Sequence, residues 1–362
     1  LSREAAVKSM VLLKNSDGLL PLSKDLRMVY VTGPLADDAQ VKLGNYYGLN
    51  EDIATVLEGI TGKVSAATKV DFRQGALLDR TNVNPIDWFS GSAQEADVTI
   101  AVMGVSNLLE GEEGASIASP DKGDRFDVSL PESQVAFVRK MRENAKKLVV
   151  VVLSGSPVAM PEVHEMADAV VFAWYPGMEG GRAIADVLFG DAVPSGRLPL
   201  TFPKSMEQLP PYEDYSMDGR TYRFMTEEPL YPFGFGLSTT TFSYGKLQLS
   251  MSGRNTYDAK VWVTNEGDRA GEEVVQLYVS ALDAETRVPL ASLKAFERVF
   301  IGPGESETVE FTVTPEMLHV IDDEGEAVVA PGRYRVTVGG ASPGPRAVAL
   351  GAPEPAWAIV HA

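Results

Sequence analysis

Four short runs of apolar residues, rich in β-branched side chains, constrain this chain more than any other feature: 28–32 (MVYVT), 98–105 (VTIAVMGV), 148–154 (LVVVVLS) and 169–174 (AVVFAW). A strand that is apolar at every position has both faces buried, as parallel strands do when helices cover the sheet on either side. Helix-period patterns lie between the runs, at 51–61, 131–146 and 179–189. The alternation predicts an α/β three-layer sandwich with a mostly parallel sheet over residues 1–205. Residues 3–13 read as an amphipathic opening helix with Ala6, Met10 and Leu13 on one face, ended by the stretch KNSDG at 14–18.

The pattern then changes. Residues 206–245 are rich in Pro, Tyr, Gly and Phe and read as a long irregular connection. From 246 to 362 the period drops to two. Short alternating strands at 259–264, 273–280, 307–313 and 333–338 are separated by turn residues at Asn265-Glu266-Gly267, Gly302-Pro303-Gly304 and Pro331-Gly332. That is the pattern of a small all-β sandwich.

Charge and composition narrow the functions. A net charge of −18 disfavours nucleic acid and anionic membrane as partners. The absence of cysteine excludes disulfides, thiolate catalysis and Cys-based zinc sites. No apolar run reaches the ~18 residues of a membrane span. Arg3, Glu4, Lys8 and Lys14 interrupt the first residues, which therefore do not read as a signal peptide. Leu1 is not an initiator methionine, as expected of a processed or cropped piece.

The richest candidate chemistry is in 104–131, which leaves the apolar run at 98–105. Ligands of open α/β sheets bind at the carboxyl ends of strands. Glu110, Glu112 and Glu113 are interleaved with Gly111 and Gly114. Neighbouring like charges and partial burial raise a carboxyl pKa, which suits a general acid near neutral pH. Asp124 and Arg125 follow and could fix the shape of the loop by a charge-assisted hydrogen bond. Spacing alone favours a solvated acidic loop. A calcium loop is disfavoured, because the regular D-x-D-x-D-G spacing is missing. The turn Gly33-Pro34-Leu35-Ala36-Asp37-Asp38 lacks a phosphate-loop context and reads as a tight strand–helix turn. His164, His319 and His361 fit no metal or triad spacing. Trp174 and Tyr175 stand at a strand end, where they either border a sugar by stacking or pack in the core.

Several segments together resemble glycoside hydrolase family 3. They are Gly111-Glu112 followed by Asp124-Arg125 and Leu130-Pro131-Glu132-Ser133-Gln134; Leu43-Gly44-Asn45-Tyr46-Tyr47-Gly48; Tyr175-Pro176-Gly177; and Pro194-Ser195-Gly196-Arg197-Leu198-Pro199. Further on come Gly219-Arg220-Thr221-Tyr222-Arg223, Pro232-Phe233-Gly234-Phe235-Gly236 and Gly271-Glu272-Glu273-Val274-Val275-Gln276. The resemblance implies an (α/β)6 sandwich followed by a fibronectin type III-like domain. It implies a retaining β-glucosidase in which Glu112 is the acid/base, with Glu110 and Glu113 as alternatives and Asp124 and Arg125 supporting the loop. The nucleophile is expected on an N-terminal barrel domain that this chain does not carry. The expected substrate is a β-linked oligosaccharide or aryl glycoside, with no cofactor and no metal, and a homodimer is left open. β-Xylosidase or broad exo-β-glycosidase activity is the alternative, and a non-catalytic carbohydrate-binding or structural fragment the second. The expected location is the bacterial periplasm or outside the cell.

Overall fold

The computed structural model describes residues 1–44, 48, 50–84, 86–111 and 125–362. Glu112, Glu113 and Asp124 lie outside the described residues. The chain forms two compact units, Leu1–Gly196 with Phe202–Glu207, and Arg197–Thr201 with Gln208–Ala362.

The first unit runs α1 (Ser2–Ser9), β1 (Val11–Asn15), β2 (Met28–Thr32), α2 (Val56–Thr61), β3 (Lys69–Arg73), α3 (Ser90–Glu95) and β4 (Val98–Gly104). It continues with α4 (Asn107–Glu110), α5 (Glu132–Asn144), β5 (Leu148–Leu153), α6 (Pro161–Met166), β6 (Ala169–Phe172) and α7 (Gly180–Leu188). The six strands form one sheet in the order β1-β6-β5-β4-β2-β3. Five are parallel, and β1 pairs with β6 antiparallel. Every residue of β2, β4, β5 and β6 is buried. That is why these strands read as unbroken apolar runs.

Two strands of the first unit depart from the sequence reading. The opening helix ends at Ser9, and Val11–Asn15 is a strand instead of its second half. Val11, Leu12 and Leu13 are all fully buried. The pairing Val11↔Phe172 and Leu12↔Val171 supplies the backbone partners that a helix would have supplied internally. The strand β3 was not expected either. Its residues are exposed or half-buried, as suits the edge of the sheet, and it carries Lys69, Asp71 and Arg73.

Helices α2 and α7 approach backbone to backbone. A Cβ at Gly59 would lie 2.0 Å from the carbonyl oxygen of Gly181, and one at Gly181 would lie 2.0 Å from that of Thr55. Only glycine allows such a contact. Gly181→Ala is therefore expected to destabilise the first unit by about 1–3 kcal/mol through overpacking. Urea denaturation checks this, and an unchanged midpoint would contradict the contact. Further along α7, Asp186 accepts two hydrogen bonds from Arg3, at 2.5 and 2.6 Å, which tie α1 to α7.

The second unit contains α8 (Thr221–Phe224), β7 (Phe242–Tyr244), β8 (Gln248–Gly253), β9 (Thr256–Asn265), β10 (Gly271–Ala281), β11 (Ser292–Ile301) and β12 (Ser306–Val313). Then come β13 (His319–Ile321), β14 (Ala327–Val329), β15 (Arg333–Gly339), α9 (Pro345–Ala349) and β16 (Ala356–His361). One sheet has the order β11-β10-β15-β16. The second is β12-β9-β7, with β8 also paired to β9. The inner faces meet in a core that includes Val261, Val263, Val275, Leu277, Val309, Val336 and Val338. This is the two-sheet sandwich expected from the period-two pattern.

One polar cluster gathers three of the motif segments inside this unit. Arg197 Nη2 meets Glu273 Oε2 at 2.5 Å, and Tyr244 donates to Glu273 Oε1 at 2.8 Å. Gln276 donates to the carbonyl oxygens of Gly234 and Gly340 at 3.0 and 2.8 Å. The segments around 197, 234 and 273 thus form the polar frame of the sandwich.

Candidate functional site

The sheet order turns over beside β2: the chain goes from β2 to β3 on one side and then to β4 on the other. The crevice outside the carboxyl ends of strands at such a switch point is where open α/β sheets bind ligands. The acidic segment leaves the sheet there, directly after β4.

Its base is clamped. Gln134 on α5 is fully buried. Its Oε1 accepts the Gly104 N–H at 2.9 Å, and its Nε2 donates to the Gly104 and Leu78 carbonyls, both at 2.7 Å. Gly104 has φ 135°, and a Cβ there would lie 1.9 Å from the Leu153 carbonyl oxygen. The returning stem is laid against the segment after β5. Leu130 N–H donates to Ala159 O at 3.1 Å, and Ala159 N–H donates to Val128 O at 2.8 Å.

Between these stems, Glu110 at the end of α4 turns its carboxylate back over β5 and β6. Its Oε1 accepts from Ser156 Oγ and lies 3.2 Å from Ser154 Oγ, whose single proton is directed at Ser156 O at 2.7 Å. Its Oε2 accepts from the Tyr175 hydroxyl. Ser154 and Ser156 follow the end of β5, and Tyr175 follows the end of β6. Burial raises the Tyr175 phenol pKa well above its usual value, and the adjacent Glu110 carboxylate raises it further. The phenol is therefore a firm proton donor. Arg125, on the returning stem, donates to Pro157 O at 3.3 Å and to Ser156 Oγ at 3.5 Å. Burial lowers its guanidinium pKa, against the pull of Glu110. Leu108 and Phe126 stay exposed on the two stems.

Of the residues singled out in the sequence, the structure thus brings together Glu110, Arg125 and Tyr175. Asp124, expected to support the loop with Arg125, lies outside the described residues; Arg125 reaches the turn after β5. Trp174 has φ 57°, which is rare for a bulky residue. Its indole N–H donates to Ser9 O at 3.0 Å, and its ring packs edge-on to Phe172 with centroids 4.7 Å apart. It is a packing residue of the first unit. Ser154, Ser156 and the clamp role of Gln134 were not read from the sequence. The only available signal was the turn-forming stretch SGSP at a strand end. Among the described residues no group of three His, Asp or Glu gathers to hold a metal ion. No helix among them is long and apolar enough to cross a membrane.

Residues 10–239 match the model of the glycosyl hydrolase family 3 C-terminal domain, and residues 273–342 match that of the fibronectin type III-like domain. The chain is 35% identical over 375 residues to the periplasmic beta-glucosidase of Salmonella typhimurium, covering 93% of this chain and 48% of that protein. It is 34% identical over 354 residues to a beta-xylosidase of Formosa agariphila, covering 94% and 48%. Among solved structures, the Bifidobacterium adolescentis GH3 beta-glucosidase superposes with a TM-score of 0.84 at 28% identity, over 99% of this chain and 52% of that one. The beta-glucosidase of Listeria innocua in complex with isofagomine superposes with a TM-score of 0.83 at 30% identity, over 99% and 49%. The chain spans about half the length of the curated relatives it matches.

Proposed function

Because this chain belongs to glycoside hydrolase family 3, we propose that it is the part of a retaining β-glucosidase that supplies the general acid/base, and that Glu112 has this role. The observation that carries the reading is the acidic segment itself. It leaves β4 at the switch point of the sheet, on stems clamped by Gln134 and by the turn after β5. Within it, each oxygen of the Glu110 carboxylate is already engaged as the acceptor of a hydroxyl, from Ser156 and from Tyr175. A general acid has to present its proton to the leaving oxygen, so Glu112 is favoured over Glu110, with Glu113 next.

In this reading a carboxylate on another domain attacks the anomeric carbon. Glu112 protonates the leaving oxygen and then deprotonates the water that hydrolyses the glycosyl-enzyme. The substrate is a β-linked oligosaccharide or aryl glycoside. Asp124 and Arg125 support the segment, and the second unit has a framework role. A periplasmic location belongs to the same reading and is supported by the name of the Salmonella relative.

A β-xylosidase is the second reading, favoured by the Formosa relative at nearly the same identity. The two differ in one hydroxymethyl group on the sugar. The full-length protein is expected to hydrolyse an aryl β-glucoside with kcat/KM about tenfold or more above the matching β-xyloside, the discrimination one such group supports. The reverse order would establish the xylosidase reading. Failure to hydrolyse either would end the glycosidase proposal.

A further inference from the structure

We infer that Glu110, Ser156 and Tyr175 form an anchor that positions the acid/base segment, so that Glu110 serves the reaction through another residue and not as its proton donor. The inference rests on the acid/base reading above.

Three observations carry it. First, both stems of the segment converge on one turn, 154–157, after β5. Glu110 reaches Ser154 and Ser156 from the incoming stem, and Arg125 reaches Ser156 and Pro157 from the returning stem. Second, the anchor ties the segment to two strands at once, because Tyr175 comes from the end of β6. The two donors to Glu110, Ser156 and Tyr175, are neutral hydroxyls and the acceptor is a carboxylate, so each oxygen of the carboxylate is matched by one donor. Third, the turn is shaped around these side chains. A Cβ at Gly155 would lie 2.9 Å from Glu110 Oε2 and 2.7 Å from the Tyr175 ring. The Gly155 backbone is not in the left-handed region, and the nearest atoms a side chain there would meet belong to the anchor.

An anchor of this kind acts through distance. A reacting group displaced by about 1 Å can lose up to 100-fold in rate. The test uses the full-length protein and two aryl β-glucosides. Phenyl is a poor leaving group that needs protonation, and dinitrophenyl leaves without it. Tyr175→Phe, Ser156→Ala and Gly155→Ala are each expected to lower kcat/KM for the phenyl glycoside by about 10- to 100-fold. For the dinitrophenyl glycoside kcat/KM should change within about threefold, while kcat and KM fall together because the displaced group also activates water less well. Gly155→Ala removes no hydrogen-bonding atom, and Tyr175→Phe adds no bulk, so a folding defect in one does not compromise the other. A loss of active enzyme would lower both substrates equally and would overturn the inference, as would wild-type rates on the phenyl glycoside.

The controls separate this result from the underlying reading. If Glu112→Gln abolishes phenyl glycoside hydrolysis while the anchor variants are unaffected, the anchor fails and the acid/base reading stands. If azide restores turnover of the dinitrophenyl glycoside to Glu110→Gln but Glu112→Gln is fully active, Glu110 is itself the acid/base and both fail.

Discussion

Glu112→Gln in the full-length protein is expected to lower kcat/KM for a phenyl β-glucoside by about 10²- to 10⁴-fold, the usual contribution of a positioned proton donor. Glutamine keeps the length and polarity of the side chain but cannot exchange the proton, so the loss reports chemistry and not packing. With a dinitrophenyl leaving group the first step should proceed nearly as in the wild type, because that group leaves without protonation. The second step should then become slow, since water has lost its base and the glycosyl-enzyme accumulates. Azide, which needs no base, should restore turnover and release a glycosyl azide of retained configuration. Steady-state rates and product analysis read all three signatures. A Glu112→Gln enzyme that hydrolyses the phenyl glycoside at the wild-type rate would remove Glu112 from the role, and the same panel on Glu113→Gln would then identify its neighbour.

The second large effect concerns stability. Glu273→Ala is expected to cost the second unit about 3–5 kcal/mol. Arg197 and Glu273 are paired at 2.5 Å, with side chains 9% and 2% exposed. Burial raises the Glu273 pKa, opposed chiefly by the Arg197 charge. Removing the carboxylate takes the Glu273 charge away from a buried guanidinium and leaves the Tyr244 hydroxyl without this acceptor. Desolvation of the survivors, more than loss of attraction, sets the size of the effect. For a unit of this size it corresponds to a melting temperature lower by roughly 10 °C. Trp262 and Trp357 lie in the second unit, and Trp88 and Trp174 in the first. Urea unfolding followed by the fluorescence of Trp→Phe variants can therefore assign the loss to the second unit. A double variant, Arg197→Met with Glu273→Leu, should recover much of the stability by replacing both charges with apolar volume. A loss below about 1 kcal/mol in Glu273→Ala would mean that water reaches the pair.

Both predictions concern residues that stand in the sequence as parts of short motifs, yet the two motifs were legible to different degrees. The glycine-hinged acidic stretch at a strand end marked a candidate loop, and Glu112 could be singled out within it only through the resemblance of Gly111-Glu112 and the motifs after it to the family. Arg197 and Glu273 could not be paired, because nothing local links positions so far apart along the chain.

The same division runs through the whole molecule. Its layers were written in the chain. Strands β2, β4, β5 and β6 are buried on both faces, so each residue had to be apolar or small, and period and length alone identify them. The sandwich strands β9 and β12 alternate because one face is wet, and this too is a local property. Tertiary structure decided the rest. Val11–Asn15 carries a pattern that serves a helix as well as a strand, and pairing with β6 resolved it. Strand β11 was invisible, because Phe296 and Phe300 are exposed on it and obscure the alternation. Glu110 and Tyr175 could each be singled out, but nothing in the sequence joined them to one another or to Ser156; they meet only because β4, β5 and β6 lie side by side and end at one edge. Burial is imposed residue by residue and leaves a periodic trace in the sequence, whereas a hydrogen-bonded site depends on which strand ends become neighbours, and that order has no periodicity to read.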